Sequence, residues 1–291
     1  MSKNLTNLLL ALGLLCVVTA CVCPSDRDVD RNRDETPQAE STPAKESAAG
    51  KPAAMNLKND DGDFIVVHEP VTNQRYAEID RQVKQEKLLE KAADRLNRSL
   101  ILPKDIELRT KDCNEVNAFY NPNDSSVTVC YELMEHFFKV FRVGGMDEQT
   151  SYTKMFDAVR FVFLHEIGHA LIETYQLPIT GNEEDAADRC SSFINIEELG
   201  DDGVKAVFAA ADAFLIESKH STADSRSMAD EHLLQEQRFY NSLCMIYGSN
   251  TERYSMIVDE GYLPKERAVR CSSEYQRTVA SWINLLEPWR K

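Results

Sequence analysis

Met155-Phe156-Asp157-Ala158-Val159-Arg160-Phe161-Val162-Phe163-Leu164-His165-Glu166-Ile167-Gly168-His169-Ala170-Leu171-Ile172-Glu173-Thr174-Tyr175 is the stretch on which both fold and chemistry turn. It reads as one helix that is apolar on most sides around the His-Glu-x-x-His run, which places it inside the protein. His165 and His169 are four residues apart, so they lie one above the other on a single face. Imidazoles buried in this way need polar partners. Two of them one turn apart can bind one tetrahedral zinc ion. Glu166, beside the first, can reach a metal-activated water as general base.

Two histidines do not hold a catalytic zinc; a third protein ligand is needed, with the fourth position left open. Downstream, Pro178 and Gly181 mark a turn, and a helix is expected from about Asn182. Glu184 and Asp188 are one turn apart on that helix and share a face. Glu184 is the expected third ligand. Asp188 is the expected acceptor for the distal nitrogen of a ligand histidine, fixing its tautomer and raising its basicity. Ala186 and Ala187 are small enough to let two helices approach closely. Glu183 and Asp185 have no acidic partner four residues on, and they read as a solvated helix start favoured by the helix dipole.

Outward from this centre, the rest of the chain sorts into three parts. Residues 1–20 read as a signal peptide: Lys3 is followed by an apolar run from Leu8 to Val18, too short to span a bilayer. The run ends in Val18-Thr19-Ala20-Cys21, which looks like a bacterial lipobox. The mature chain is then expected to begin at a lipid-bearing Cys21 and to be tethered to a membrane rather than to cross it. The expected location is the cell envelope, facing the periplasm. Val22, not aspartate, follows the cysteine, which by known sorting behaviour favours the outer membrane in a Gram-negative organism. Residues 21–60 are rich in small and charged side chains and read as a flexible tether.

Residues 61–291 read as the folded domain. Phe64 to Val67 and Asp105 to Arg109 read as strands, with an amphipathic helix from Tyr76 to about Arg98 between them. Val116 to Tyr120 and Ser126 to Cys130 read as a hairpin about Asn121-Pro122-Asn123-Asp124. Beyond Tyr131 the pattern is helical. The expected class is α+β: a small antiparallel sheet followed by a helical lobe that carries the zinc helix. The formal net charge of −15 argues against nucleic acid as a partner. Of the eight cysteines, Cys113 and Cys130 sit at the outer ends of the hairpin, and a disulfide there would contribute roughly 3 kcal/mol. Cys244 and Cys271, on two helical segments, form the second expected pair. Cys190 is left over and reads as buried.

His165-Glu166-x-x-His169 followed by Glu184-x-x-x-Asp188 resembles the gluzincin metallopeptidases. Asn117-Ala118-Phe119-Tyr120 is similar to the edge strand that precedes the zinc helix in their thermolysin-like branch. The resemblance implies that Asn117, Ala118 and Tyr120 receive a peptide as an added strand. The stretch from about Asp63 onward also resembles an uncharacterised bacterial family assigned as metallopeptidases. Cys113, Cys130-Tyr131-Glu132-Leu133, Asp230-Glu231-His232, Arg238-Phe239-Tyr240-Asn241, Cys244 and Cys271 carry that resemblance together with the zinc helix. It implies a zincin-like fold and a peptidase acting on peptide or protein substrates.

His232 is the leading oxyanion donor, the role a downstream histidine has in thermolysin-like enzymes. Tyr120, Tyr131, Arg238 and Tyr240 are weaker candidates. His68, His136 and His220 show no ligand spacing. Two other functions fit the same residues. One is a non-enzymatic, zinc-stabilised envelope lipoprotein that binds a partner; the other is a zinc hydrolase of a non-peptide amide. For the anchor, Cys21→Ser is expected to move the protein from the membrane fraction to the soluble fraction. Retention on membranes would contradict the lipobox reading.

Overall fold

A computed structural model describes residues 59–220 and 231–291. These residues belong to one unit of the chain, Met55–Lys291. The signal segment, Cys21 and most of the tether lie outside the described residues. No helix among the described residues is long and apolar enough to cross a membrane.

The first part of the domain is a four-stranded sheet in the order β1-β2-β4-β3. The strands are β1 (Phe64–His68), β2 (Ile106–Lys111), β3 (Ala118–Asn121) and β4 (Ser126–Cys130). The sheet is mixed, not antiparallel as expected from the sequence. β1 pairs β2 in parallel, β2 pairs β4 in parallel, and only β3 and β4 run antiparallel. The reason is connectivity. Between β1 and β2 lie two helices, α1 (Ala77–Glu86) and α2 (Leu88–Ser99). A crossover of that length returns the chain in the same direction. The hairpin then places β4 inside, beside β2, and leaves β3 at the edge.

α1 and α2 were expected as one helix from Tyr76 to Arg98. The chain instead breaks at Lys87, which adopts a left-handed conformation (φ 51°, ψ 47°) and caps α1 with its N–H on the Val83 and Lys84 carbonyls. The break turns α2 so that Leu88, Leu89, Ala93 and Leu96 are buried.

Helices follow, as expected. They are α3 (Tyr131–Val143), α4 (Glu148–Tyr175), α5 (Glu183–Phe193), a π-helical turn (Ile194–Glu198), α6 (Leu199–His220), α7 (Gln235–Ser249), α8 (Met256–Asp259), α9 (Lys265–Ala268) and α10 (Cys271–Leu286). The observed class is mixed α+β, mostly helical with a small sheet. α4 is its axis. From Met155 onward it buries side chains on nearly all sides, among them Phe161, Ile167 and Leu171 at 0% exposure. Each such side chain contributes about 2 kcal/mol of burial free energy. One side of α4 faces the sheet and α3, and another faces α5 and α6.

Both expected disulfides form. Cys113–Cys130 ties the chain ahead of β3 to the end of β4, and Cys244–Cys271 ties α7 to α10. Cys190 is free and buried on α5. α5 packs against α4 at Gly168, which has no side chain where they meet. A Cβ there would stand 3.1 Å from the Ala187 Cα and 3.2 Å from the Cys190 Cβ. A β-branched residue has no room. Gly168→Val is expected to destabilise the fold by about 1–3 kcal/mol in a urea melt; an unchanged midpoint would contradict this packing.

Candidate metal centre

α4 carries His165, Glu166 and His169 on its face toward α5 and β3. α5 begins at its cap, Asn182, whose side chain accepts the Asp185 N–H. That fixes the first turn of α5 opposite the two histidines and aims Glu184 at them. His165 Nε2 lies 3.0 Å from Glu184 Oε2, His169 Nε2 lies 3.4 Å from Glu184 Oε1, and the two Nε2 atoms are 3.1 Å apart. These three residues form a group of converging donors able to hold a metal ion.

The separations themselves test the fit. Ligand atoms about 2.0–2.1 Å from one tetrahedral ion stand about 3.3 Å from each other. The two Nε2 atoms, 3.1 Å apart, and the Glu184 carboxylate, whose Oε2 lies 3.0 Å from one and whose Oε1 lies 3.4 Å from the other, are close to that spacing. The outer nitrogens fit as well. His165 Nδ1 is 2.8 Å from Asp188 Oδ1, and His169 Nδ1 is 2.8 Å from Glu183 Oε1. Each imidazole thus donates its outer N–H to a carboxylate and turns Nε2 inward, the tautomer a metal requires. A second donor group, Cys113, Cys130 and Glu132, does not compete. Its thiols are joined as a disulfide, and Glu132 accepts the N–H groups of Cys113 and Asn114 at 3.1 and 2.8 Å.

Asp188 is itself clamped. Arg238, on α7, donates Nε to Oδ2 and Nη2 to Oδ1, both at 2.8 Å. The guanidinium lies over the Phe214 ring of α6, 4.2 Å from its centre. Burial would raise the Asp188 pKa, but Arg238 and His165 hold it well below the usual carboxylate range. Burial likewise works against ionised Glu184, and the surrounding histidines drive it far down.

Glu166 is the exception. It is 7% exposed, has no lysine or arginine partner among the described residues, and accepts only the Tyr120 N–H, at 3.0 Å. Burial raises its pKa above the ordinary value, with the two histidines pulling the other way. A carboxylate so placed is ready to take up a proton.

β3 forms the opposite wall of a cleft of about 350 Å³. The Asn117 carbonyl accepts the Cys130 N–H at 3.1 Å and is turned into the sheet. Bonded pairs alternate along an antiparallel ladder. The backbone groups of Ala118 and Tyr120 therefore face the open edge, and the Tyr120 N–H is taken by Glu166. Both backbone groups of Ala118 lie on that open edge, while Asn117 lines the cleft with its carbonyl bonded to Cys130.

His232 also reaches the cleft. Its Nε2 is 3.0 Å from Glu184 Oε2, and its ring stacks on that of His165 with centres 6.1 Å apart. Asn182 donates to the Glu231 carbonyl at 2.7 Å, tying that segment to the start of α5. The other candidates are elsewhere. The Tyr120 hydroxyl is buried, Tyr131 bonds Thr110 and Asp80, Arg238 holds Asp188, and Tyr240 does not line the cleft. His68 and His136 pair with Glu90 and Glu217, at 2.8 and 2.7 Å.

The sequence profile of a family described as "Putative metallopeptidase" matches residues 68–286. The chain belongs to this family. No curated protein and no solved structure matches it. Membership in a metallopeptidase family implies a metal, and His165, His169 and Glu184 are the residues placed to hold it.

Two participants escaped the sequence reading. Glu183, which by sequence reads as a solvated helix start, faces the outer nitrogen of His169 at 2.8 Å. Arg238, by sequence a weaker oxyanion candidate, instead clamps Asp188. Spacing within one helix cannot show either contact, because both partners come from other helices.

Proton competition follows from the site's charges. Burial would lower the His165 pKa, but Asp188 and Glu184 outweigh it and raise it from 6.5 to about 9 in the metal-free protein. The stabilisation this gives is complete below pH 6.5 and is lost as pH rises through about 9. A protonated imidazole cannot ligate. Metal affinity is therefore expected to rise across the same window, by about tenfold per pH unit for one proton released. Chelator competition at a series of pH values measures this, and a flat profile would contradict it.

Proposed function

We propose that this protein is a zinc-dependent peptidase of the gluzincin type with a zincin-like fold, anchored by lipid at Cys21 in the bacterial envelope, and facing the periplasm. The observation that carries the reading is Glu166: a buried carboxylate with no lysine or arginine partner among the described residues, set between three converging metal donors and an edge strand.

His165, His169 and Glu184 would hold the ion. Bound there, zinc supplies a Lewis acid and lowers the pKa of a water towards roughly 7. Glu166 accepts the proton of the attacking water and passes it to the leaving amine. The Tyr120 N–H steadies its carboxylate at 3.0 Å. His232, exposed at the cleft mouth, donates to the carbonyl oxygen as negative charge grows on it. Asp188 and Glu183 keep the imidazole Nε2 atoms turned inward. Ala118 offers its N–H and carbonyl to an extended peptide, which adds to the sheet beyond β3. Tyr120 adds only its carbonyl.

A second reading draws on His232. A structural zinc is closed by four protein ligands. If His232 were the fourth, the domain would be a zinc-stabilised lipoprotein that binds a partner without catalysis. Two variants separate the readings. Glu166→Gln is expected to keep one equivalent of zinc and to lose peptide cleavage by about 100-fold or more. His232→Ala is expected to keep the zinc and to lower kcat by about 100-fold. Loss of zinc from His232→Ala, or full zinc in the wild type with no cleavage across a diverse peptide library, would favour the binding module.

A further inference from the structure

The cleft beside the donor group is lined by four carboxylates, Glu166, Glu173, Glu183 and Glu184, and among the described residues no lysine or arginine lines it. Three of the four are engaged. Glu166 accepts the Tyr120 N–H, Glu183 faces the outer nitrogen of His169, and Glu184 lies against all three histidines. Glu173 differs. It stands one turn beyond His169 on α4, on the same face. Its side chain is exposed and makes no hydrogen bond or ion pair among the described residues. Lys111, whose ammonium lies 6.0 Å from the centre of the Phe119 ring, does not line the cleft.

We propose that Glu173 is a specificity-determining residue that selects peptides carrying a lysine or arginine side chain beside the cleaved bond and turns away acidic ones. The proposal rests on the peptidase reading above and names its substrate class. A guanidinium or ammonium entering the cleft finds one carboxylate with no prior partner, and the resulting hydrogen bonds are charge-assisted. Glu173 stands in a concave cleft, which strengthens the attraction that a cationic side chain meets at its carboxylate. An acidic side chain meets the same field with the sign reversed, so discrimination comes from repulsion as well as attraction. Glu173 binds and takes no part in proton transfer; the chain's net charge of −15 extends the bias to peptides in solution.

The test uses the zinc-loaded protein and three peptides that differ only in the residue beside the scissile bond: Arg, Gln or Glu. Wild type, Glu173→Gln and Glu173→Lys are compared by kcat/KM. Equilibrium binding of the same peptides to Glu166→Gln, with and without Glu173→Gln, is read by fluorescence anisotropy. Wild type is expected to rank the peptides Arg, then Gln, then Glu. Glu173→Gln should cut the Arg-to-Gln ratio by about tenfold, mainly through KM. Glu173→Lys should reverse the order of Arg and Glu, and the binding series should show the same ranking. Cleavage with a ranking that neither substitution moves would overturn the proposal and leave the peptidase reading standing. Absence of cleavage by the zinc-loaded wild type would overturn the peptidase reading, and the binding series would still decide whether Glu173 selects basic peptides.

Discussion

α4 and α5 cross where Gly168 meets Ala187 and Cys190, and the functional centre depends on that approach. Ligand atoms on two separate helices must come within about 3.3 Å of one another to share an ion. A single Cβ at residue 168 would press on the Ala187 Cα at 3.1 Å. Glu184 stands on the first turn of α5, so any outward shift of that helix moves its carboxylate away from His165 and His169. Packed interiors transmit such shifts rather than absorb them. The apolar side chains of α4 hold the helix in place, and one missing side chain sets the distance to its neighbour.

The same economy runs outward from the donors. Asp188 links His165 of α4 to Arg238 of α7, and Arg238 lies on Phe214 of α6. Asn182 caps α5 and also holds the carbonyl before His232. Four helices and one loop are thereby set by contacts made at a single centre. Burying the Asp188–Arg238 pair is no cheap source of stability, since two charges must be taken out of water. What it supplies is geometry: a carboxylate fixed on both oxygens holds the imidazole it faces in one tautomer and one orientation.

How much of this could be read from the sequence depends on whether a contact lies within one element or between several. Within α4, the four-residue spacing placed His165 and His169 on one face, with Glu166 beside them. Within α5, the same rule singled out Glu184 and Asp188, and the structure brings both to the histidines. The hairpin and its Cys113–Cys130 closure were legible from a turn and two symmetric cysteines. The direction of the sheet was not, because it is set by how α1 and α2 return the chain. Nor was the break at Lys87, where an amphipathic pattern continues across a left-handed residue. The contacts of Glu183 with His169 and of Arg238 with Asp188 are hidden for the same reason, as each joins residues of two helices. His232 stands out in the sequence by resemblance, and its stacking on His165 is a tertiary fact.

In the proposed centre, three donors from two helices, His165, His169 and Glu184, converge on one ion and leave a position for water. X-ray absorption at the zinc edge of the loaded protein tests this most directly. The expected result is only nitrogen and oxygen neighbours at about 2.0–2.1 Å, with outer-shell scattering from two imidazoles. A sulfur neighbour at about 2.3 Å, or scattering from three imidazoles, would contradict it.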